Sequence, residues 1–362
     1  MAAYTTIDDS EAYFQIALYT GNASNRDITL EGETDMQPDL VWIKERSGGP
    51  ESGVEGHKIF DSVRGATNLI QSSSTGLEQD QDTSLTAFNS DGFSLGTDSG
   101  DIVNENTVLH VAWCWKAGTT SGKSTTNETI TPSGYSVNTT SKFGIYAYTG
   151  TGSAGYINHG LGATPGMIII KERNNTSGWY LWHKNLTATT GYMMVLNTTA
   201  GVGTTSSGTA GPLANTAPTS TLYRLGTDSD ANNSSDTYVN YVFADVQGFS
   251  KFGSYTGNGN ADGPFVYTGF RPAFLIAKRT DATNSWHMWD NKRDGYNPSN
   301  EDLRANMDAA EGEGNVAVDL LSNGFKWLSS DGAQNASGGT YIYIAFAEAP
   351  FVNSEGVPNN AR

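Results

Sequence analysis

The sequence has one cysteine, no long apolar run and few basic residues. Cys114 is the only cysteine among 362 residues, so no internal disulfide can form, and its neighbours in "VAWCWKAG" indicate a buried, inert thiol. No apolar stretch approaches the ~20 residues that a membrane-spanning helix needs. The opening "MAAYTTIDDSEAYF" lacks the basic start and apolar core of a secretory signal. We therefore expect a soluble chain with no membrane insertion and no export by the usual route.

Positive charge is scarce as well. The 21 Lys and Arg stand against 38 Asp and Glu, which gives a formal net charge of −17. Such a surface repels phosphate backbones, so nucleic acid is not an expected partner. Charged residues make up only 16% of the chain, which is instead rich in Ser, Thr, Asn and its 42 glycines. This composition favours turn-rich β structure over helices.

The chain contains an internal repeat. A Tyr-Thr-Gly is followed, in each copy, by a proline that opens an apolar strand, as in "PDLVWIKER", "PGMIIIKER" and "PAFLIAKRT". The second and third copies of both markers are 107 residues apart, so chance is a poor explanation for the match. The marker positions are Tyr19, Tyr148 and Tyr255 for the first and Pro38, Pro165 and Pro272 for the second.

These repeats predict an all-β protein of three consecutive antiparallel β-sandwiches of jelly-roll or lectin-like type. A Ser/Thr/Gly-rich stretch after the first unit predicts a flexible linker, whereas the second and third units meet almost directly and should pack rigidly, end to end. The predicted segments are residues 1–118 (first sandwich with an N-terminal tail), 119–140 (linker), 141–248 and 249–349 (second and third sandwiches) and 350–362 (C-terminal tail).

One segment of the third unit has a helical pattern. In "NPSNEDLRANMDAAEG", Asn300 could cap a short helix that presents Leu303 and Met307 at i,i+4 spacing. We expect this helix to be an insertion in an otherwise β-rich domain.

Gly150, Gly152 and Gly155 have the G-x-G-x-x-G spacing of a dinucleotide-binding turn. That motif also needs a helix whose N-terminus holds the pyrophosphate. The next elements in this chain are another turn and the strand beginning at Met167, and the other two units do not keep the spacing. A hairpin turn is therefore the better interpretation, and no nucleotide cofactor is expected.

Ser94 lies in "GFSLG", which matches the G-x-S-x-G of a hydrolase nucleophile elbow. In the other units the same position is Arg224 and Lys326, again between an aromatic and an apolar residue. Alternation of this kind predicts a strand whose central residue faces water. Changing Ser94 to alanine should therefore leave folding and any activity unaltered.

The histidines show no metal-binding spacing such as HExxH, so no zinc site is predicted. Trp182 and Trp289 lie near histidines and could stack on a sugar ring, but they keep the 107-residue repeat spacing, which favours a place in the core. The histidines are His57, His110, His159, His183 and His287.

An acidic loop, "GTDSDANNSSD", has hard oxygen ligands suited to Ca²⁺. Counted from its first aspartate, it lacks the glycine and the glutamate of an EF-hand, so a solvated acidic turn is favoured and calcium stays the lesser alternative. The candidate ligands are Asp228, Asp230, Asn232 and Asp236.

The first unit resembles the repeat module of structural proteins from marine bacteriophages, especially tail and fibre-like components. The segments that carry this resemblance are "YTTIDDSEAYFQIALYTGN", "QPDLVWIKERS", "FDSVRGATNLI", "LTAFNSDGFSLGTD" and "VAWCWKAG". The second unit is similar to a companion module, and the third departs from the "FDSVRG" pattern with "MWDNKRDG". The resemblance implies a virion protein with lectin-like sandwiches and carries over no active site.

Three functions remain open at this point. The first is a noncatalytic tail or fibre component that contacts host-surface glycans; the second is a capsid decoration protein. A third is a glycan-cleaving depolymerase, which would need two carboxylates ~5–10 Å apart. No Asp or Glu recurs beside an aromatic residue in all three units, so catalysis is not expected. The sequence assigns no catalytic, metal or cofactor residue and no glycan-contacting residue.

We also expect the protein to be a homo-oligomer on the particle, with a trimer as the first choice by analogy with phage fibres. A single sugar site binds weakly, and several copies raise the effective concentration. The N-terminal "MAAYTTIDDSEAYF" and the C-terminal "PFVNSEGVPNNAR" lie outside the repeats, so no domain core should need them. Subunit contacts or attachment to other virion proteins are their expected roles.

Overall fold

A computed structural model describes residues 4–48, 53–186, 192–204 and 211–360. These residues form antiparallel sheets with two short helices, as the composition predicts. No helix in this part of the chain is long and apolar enough to cross a membrane.

Domain 1 is a two-sheet sandwich. Its strands are β1 (Phe14–Thr20), β2 (Arg26–Ile28), β3 (Leu40–Glu45), β4 (Lys58–Asp61), β5 (Gly65–Gln71), β6 (Gln79–Asp80), β7 (Leu85–Asn89), β8 (Gly92–Leu95) and β9 (Leu109–Trp115). The larger sheet has the order β1-β9-β3-β4-β5-β6 and the smaller one β2-β8-β7. Strand β3 is buried at every position because both faces of the larger sheet are covered, which explains its unbroken apolar run.

Domain 2 repeats this plan. Its elements are β10 (Gly134–Asn138), β11 (Phe143–Thr149), β12 (Gly155–Asn158), β13 (Met167–Glu172), β14 (Trp179–His183), β15 (Tyr192–Val195), β16 (Gly203–Thr204), β17 (Leu222–Leu225), α1 (Ser229–Asn232) and β18 (Thr237–Phe243). The larger sheet runs β10-β11-β18-β13-β14-β15-β16, and β12 pairs with β17.

Residues 119–140, which the composition predicts as a flexible linker, are folded onto domain 2. Strand β10 lies in this segment and extends the larger sheet by pairing with β11. Lys123 and Glu128 form a buried ion pair of 2.6 Å, and Ile130 donates its backbone N–H to the Tyr156 carbonyl. Ser/Thr-rich composition indicates flexibility only where no neighbouring strand offers backbone partners, and the edge of β11 offers them here.

Domain 3 joins its two layers into one sheet. Its elements are β19 (Ser250–Thr256), β20 (Phe265–Tyr267), β21 (Phe270–Arg279), β22 (Trp286–Asp290), β23 (Ser299–Arg304), β24 (Gly312–Leu321), β25 (Gly324–Trp327), α2 (Gly332–Asn335) and β26 (Thr340–Pro350). The order β19-β26-β21-β22-β23-β24-β25-β20 curls the sheet almost into a barrel.

The helix predicted after Asn300 is wrong. Residues 299–304 form strand β23, and Leu303 pairs with Met288 of β22. Leu303 is buried whereas Met307 is exposed, so the two do not share an apolar face. Pairing with a neighbouring strand outweighs a local i,i+4 pattern that a short segment can satisfy by chance.

The larger sheets of all three domains pack against one another and share a single apolar core. Trp115 at the end of β9, Phe243 at the end of β18 and Phe346 near the end of β26 meet there. Their ring centroids are 6.5, 5.5 and 5.7 Å apart, and all three rings line an apolar cavity of about 30 Å³. The domains therefore surround a common axis, and the predicted end-to-end pair of domains 2 and 3 is part of a three-membered ring.

The described parts of both tails belong to this body. Ile7 is 2% exposed in the shared core, so the expectation that no core needs the N-terminal tail is wrong. Ser354 donates its backbone N–H to the Asp8 carboxylate at 2.7 Å, and Tyr4 donates to the Gly269 carbonyl at 2.9 Å. The two ends of the chain are thus held together on domain 3.

Candidate functional site

The glycine turn after Tyr148 is occupied by a buried asparagine. The Asn232 side chain accepts from the Thr151 N–H at 2.8 Å and donates to the carbonyls of Ser153 and Gly226 at 2.8 and 2.7 Å. A Cβ on Gly150 would lie 2.0 Å from the carbonyl oxygen of the residue after Asn232. The glycine is therefore needed for close backbone approach, and the turn holds a side chain where a pyrophosphate would have to sit.

The same arrangement recurs in every domain and explains the Tyr-Thr-Gly repeat. Each tyrosine hydroxyl donates to the carbonyl of the residue before the asparagine, at 2.6 to 2.9 Å. Each asparagine lies six residues before the closing-strand residue that stacks on that tyrosine, a spacing by which the sequence could have identified it. The tyrosine and asparagine pairs are Tyr19 with Asn104, Tyr148 with Asn232, and Tyr255 with Asn335.

The acidic loop is a structural turn. Asp228 caps α1 by accepting from the Asp230 N–H at 3.0 Å. The Asp230 carboxylate accepts from the hydroxyls of Ser177 and Tyr180 at 2.8 and 2.7 Å. Asp236 points elsewhere and accepts from the side-chain amides of its asparagine neighbours. Within the described residues, no three metal-ligating side chains converge.

Ser94 lies on strand β8, as its alternating pattern predicts. Phe93 and Leu95 are buried, whereas Ser94 is half-buried and donates to the Asp27 carboxylate at 2.5 Å. Residues 96–101, which come directly after the strand, form no helix, so the strand-to-helix turn of a nucleophile elbow is missing. Arg224 and Lys326 occupy the same half-exposed position in β17 and β25.

Trp182 and Trp289 are 7% and 0% exposed and lie in apolar cores, which confirms the interpretation from their spacing. Cys114 is also buried, and burial raises the pKa of its thiol. His183 is buried at a domain boundary, where burial lowers its pKa to about 3. These residues have packing roles and present no reactive group to solvent.

The three boundaries between domains are formed by residues at equivalent positions, and each domain contacts the next one around the ring. At each boundary, the final residue of β4, β14 or β22 forms a hydrogen bond with the last long strand of another domain, which is β18, β26 or β9 respectively. The Tyr241 hydroxyl donates to the Asp61 carboxylate at 2.7 Å, and the Trp113 indole N–H donates to Asp290 at 3.1 Å. His183 lies 3.3 Å from the Tyr343 carbonyl at the third boundary. Domain 2 thus contacts domain 1, domain 1 contacts domain 3, and domain 3 contacts domain 2.

A second set of equivalent residues forms another contact at each of the three boundaries. Trp179 and Trp286 donate their indole N–H groups to the carbonyls of Gln71 and Val195, at 2.8 and 3.3 Å. The corresponding residue of domain 1 is His57, whose Nε2 lies 3.0 Å from the Arg304 carbonyl. Each contact reaches the last residue of β5, β15 or β23 in the neighbouring domain, so the three boundaries have one common geometry.

Three buried lysines seal these boundaries. Each follows the apolar run of its strand, and each ammonium donates to backbone carbonyls of its own domain and of a neighbour. Lys44 reaches the Asp308 carbonyl at 3.3 Å, Lys171 reaches Thr75 at 3.5 Å, and Lys278 reaches Thr199 at 3.1 Å. Burial lowers the pKa of each lysine to about 8.

Comparison with known proteins identifies the family through a model that matches residues 9–350. The chain belongs to the DUF7483 family, a domain of unknown function. Curated proteins give no match. A solved structure described as "The Triple Jelly Roll Fold and Turret Assembly in an Archaeal Virus" is 12% identical over 92% of this chain and 89% of that chain, with a TM-score of 0.10, which is too low to carry an argument.

The DUF7483 model spans all three sandwiches, so the family unit is the whole ring and not a single repeat. Within this unit the third domain is structurally more similar to the first domain than their sequences suggest. "FDSVRG" and "MWDNKRDG" both place an Asp and an Arg three residues apart in a buried ion pair, Asp61 with Arg64 and Asp290 with Arg293. The apparent departure of the third unit is therefore an insertion after a retained pair.

Proposed function

We propose that this DUF7483 protein is a noncatalytic structural component of a bacteriophage virion, displayed on a tail or fibre, where it contacts host-surface glycans. The observation that carries the proposal is the shared core, which joins three β-domains into one body. The candidate catalytic and nucleotide motifs, at Ser94 and Gly150, are both accounted for by structural hydrogen bonds.

The sequence resemblance of the first unit to modules of marine phage structural proteins supports the virion assignment. The acidic, cysteine-poor composition suits a particle assembled in the host cytoplasm. A rigid body with several loop-bearing ends also suits display of binding surfaces, because little conformational entropy is lost when such a surface engages.

Imaging of purified virions with labelled antibody tests the location. Label on the tail or fibre is the expected result. Label on the capsid shell would assign the protein to decoration, and particles without label would refute the virion assignment. Incubation of the purified protein with host polysaccharide should release no reducing ends, whereas their release would establish a depolymerase.

We further propose a homo-oligomer on the particle, with a trimer as the first choice. Weak sugar sites gain useful strength when several are presented together. Part of the C-terminal tail is available for such contacts, since Val357 is 56% exposed. Light scattering that gives the mass of one chain, together with one copy per attachment point in the imaged particle, would contradict this proposal.

A further inference from the structure

Two of the three domain boundaries are closed by an arginine clamp. Arg46 lies 2.6 Å from the Glu311 carboxylate, and Arg173 lies 2.7 Å from that of Glu78. Both arginines come two residues after the buried lysine of their strand. Each glutamate also donates its backbone N–H to the carbonyl of its arginine, at 2.9 and 2.7 Å. Side chain and backbone together close the cleft at these two places.

At the third boundary the clamp is replaced by small neutral residues. Thr280 stands where the arginine would be, and Val202 stands where the glutamate would be. The backbone bond is kept, because Val202 donates its N–H to the Thr280 carbonyl at 2.8 Å. The geometry of the boundary is therefore retained while its two long charged side chains are missing.

At this boundary, where the arginine and glutamate side chains are absent, a groove of about 440 Å³ lies between domains 2 and 3. This volume lies in the range of about 300–1,000 Å³ that is usual for small-ligand sites. Four aliphatic hydroxyls line it, from Ser254, Thr256, Thr280 and Thr340. Asn185 donates to the Ser254 hydroxyl at 3.2 Å and so connects the two walls.

The groove has the chemistry of a neutral sugar site. Apolar side chains, such as Leu186, Val202 and Ile342, lie beside the hydroxyls, and a sugar ring likewise has apolar C–H faces and a polar rim. The only charged lining residue in the described chain is Asp281, which is paired with Arg279 at 2.8 Å. With a net charge of −17 on the molecule, an anionic ligand would be repelled.

We propose that this groove binds one neutral sugar residue of a glycan chain. The assignment rests on the proposed glycan contact and names the place where it occurs. It also explains why one boundary of three lacks the clamp: the open cleft serves binding, and the two closed clefts hold the ring together.

The test rebuilds the missing clamp. The double variant Val202→Glu with Thr280→Arg places across the groove the same pair that closes the other two boundaries, so folding should be preserved. Ligand-observed NMR and titration calorimetry would use neutral oligosaccharides of glucose, galactose, mannose and N-acetylglucosamine. At least one should bind the natural protein, and the double variant should bind it about tenfold more weakly or worse.

Thr149→Arg is the matched control. Thr149 is the exposed counterpart of Thr256 on domain 2 and lies outside the groove, so binding should change by less than about twofold. If the double variant melts early, Asn185→Ala removes a groove amide without filling the space and should still weaken binding. Equal binding by the natural protein and both groove variants would overturn the proposal.

Other outcomes are also decisive. Binding only to sialylated or uronic-acid oligosaccharides, or only to an extended peptide such as residues 131–140 of this chain, would overturn the neutral-sugar assignment. Absence of binding to the whole panel would do the same. Virion imaging is independent of these results, so a protein found on the tail that binds no neutral sugar would refute this inference and leave the structural role standing.

Discussion

Asn232 makes three hydrogen bonds to backbone atoms from within a fully buried site. Replacement by alanine leaves the Thr151 N–H and the Gly226 carbonyl without partners, whereas the Ser153 carbonyl keeps its bond from the Thr151 hydroxyl. We therefore expect a loss of about 3 kcal/mol in unfolding free energy. Asn233→Ala, at the exposed next residue, is the control and should change stability by less than about 1 kcal/mol. Denaturant titration followed by tryptophan fluorescence measures both. Equal effects at the two positions would contradict the proposed role of the buried amide.

Gly150 gives a second prediction at this scale. A methyl group there meets the Asn233 carbonyl oxygen at 2.0 Å, and backbone must move to relieve the clash. We expect Gly150→Ala to cost about 3 kcal/mol or more, in the upper range for overpacking. Gly312→Ala adds its methyl group in open space and should be nearly neutral. The melting temperatures of the two variants provide the comparison.

Single residues are predictable where a repeat or a strand alternation marks them. The burial of Trp182 and Trp289 and the strand position of Ser94 follow from repeat spacing and alternation. The sequence marks Asn232 only as a possible calcium ligand, because two of its partners lie about 80 residues away along the chain. A sequence shows the type of a polar side chain, whereas its partners depend on how distant turns meet.

Among the elements, the strands that carry buried lysines predict a pH dependence. Burial lowers the pKa of Lys44, Lys171 and Lys278 to about 8, whereas lysines in an unfolded chain titrate near ~10.4. Between these values each of these three lysines binds a proton in the unfolded chain but not in the folded one, so their contribution to stability should rise with pH. Below about pH 8 both states hold the proton, and these lysines contribute no slope.

The measurement is the difference in unfolding free energy between the natural protein and Lys278→Met from about pH 8 to 9. The Cys114 thiol and the tyrosines, which titrate in the unfolded chain near ~8.5 and ~10 and oppose the lysine effect, are the same in both proteins and cancel in this difference. Lys278→Met should reduce the rise, since one of the three titrating groups is gone. Lys184→Met, at a partly exposed ion pair, serves as the control. A slope that is the same in the natural protein and in Lys278→Met would refute the assignment to the buried lysines.

Element type is predictable from the sequence wherever strands are apolar and long, as in β3, β13 and β21. It is not predictable in β23, whose strand pairing is set by β22, or in β10, which extends a sheet from a segment with the composition of a linker. Short polar strands take their conformation from a neighbour's free edge, and that edge exists only after the rest of the domain has folded.

For the whole molecule, the shared core predicts that cutting the chain will not separate the domains. A protease site inserted beside Gly122, an exposed residue with open space around it, allows cleavage after folding. Residues before and after the cut should then elute together in gel filtration, because Trp115, Phe243 and Phe346 remain in contact. Separation without denaturant would show that the domains are independent. The uncut protein, run on the same column without denaturant, is the control.

The ring itself is not predictable from the repeats. Three similar units with apolar strands fit separate sandwiches or a shared core, since in both arrangements each unit buries the facing sides of its own two layers. What distinguishes them is the outer face of the larger sheets, where Phe14, Ile145 and Ile344 replace the polar side chains of a solvated face. Those residues can be read from the sequence, but the fact that they all face the same core can be known only from the strand register of all three sheets.

The shared core of the ring cannot be completed until most of the chain has been synthesised. The face that carries Trp115 is complete early, yet its partner Phe346 is about 230 residues further along, which a ribosome takes about 10 to 50 s to add. During that interval the nascent chain displays an aromatic surface that no later part of the molecule has yet covered. A host that makes this protein must shield that surface, so chaperone supply should limit its yield more than the stability of the finished body does.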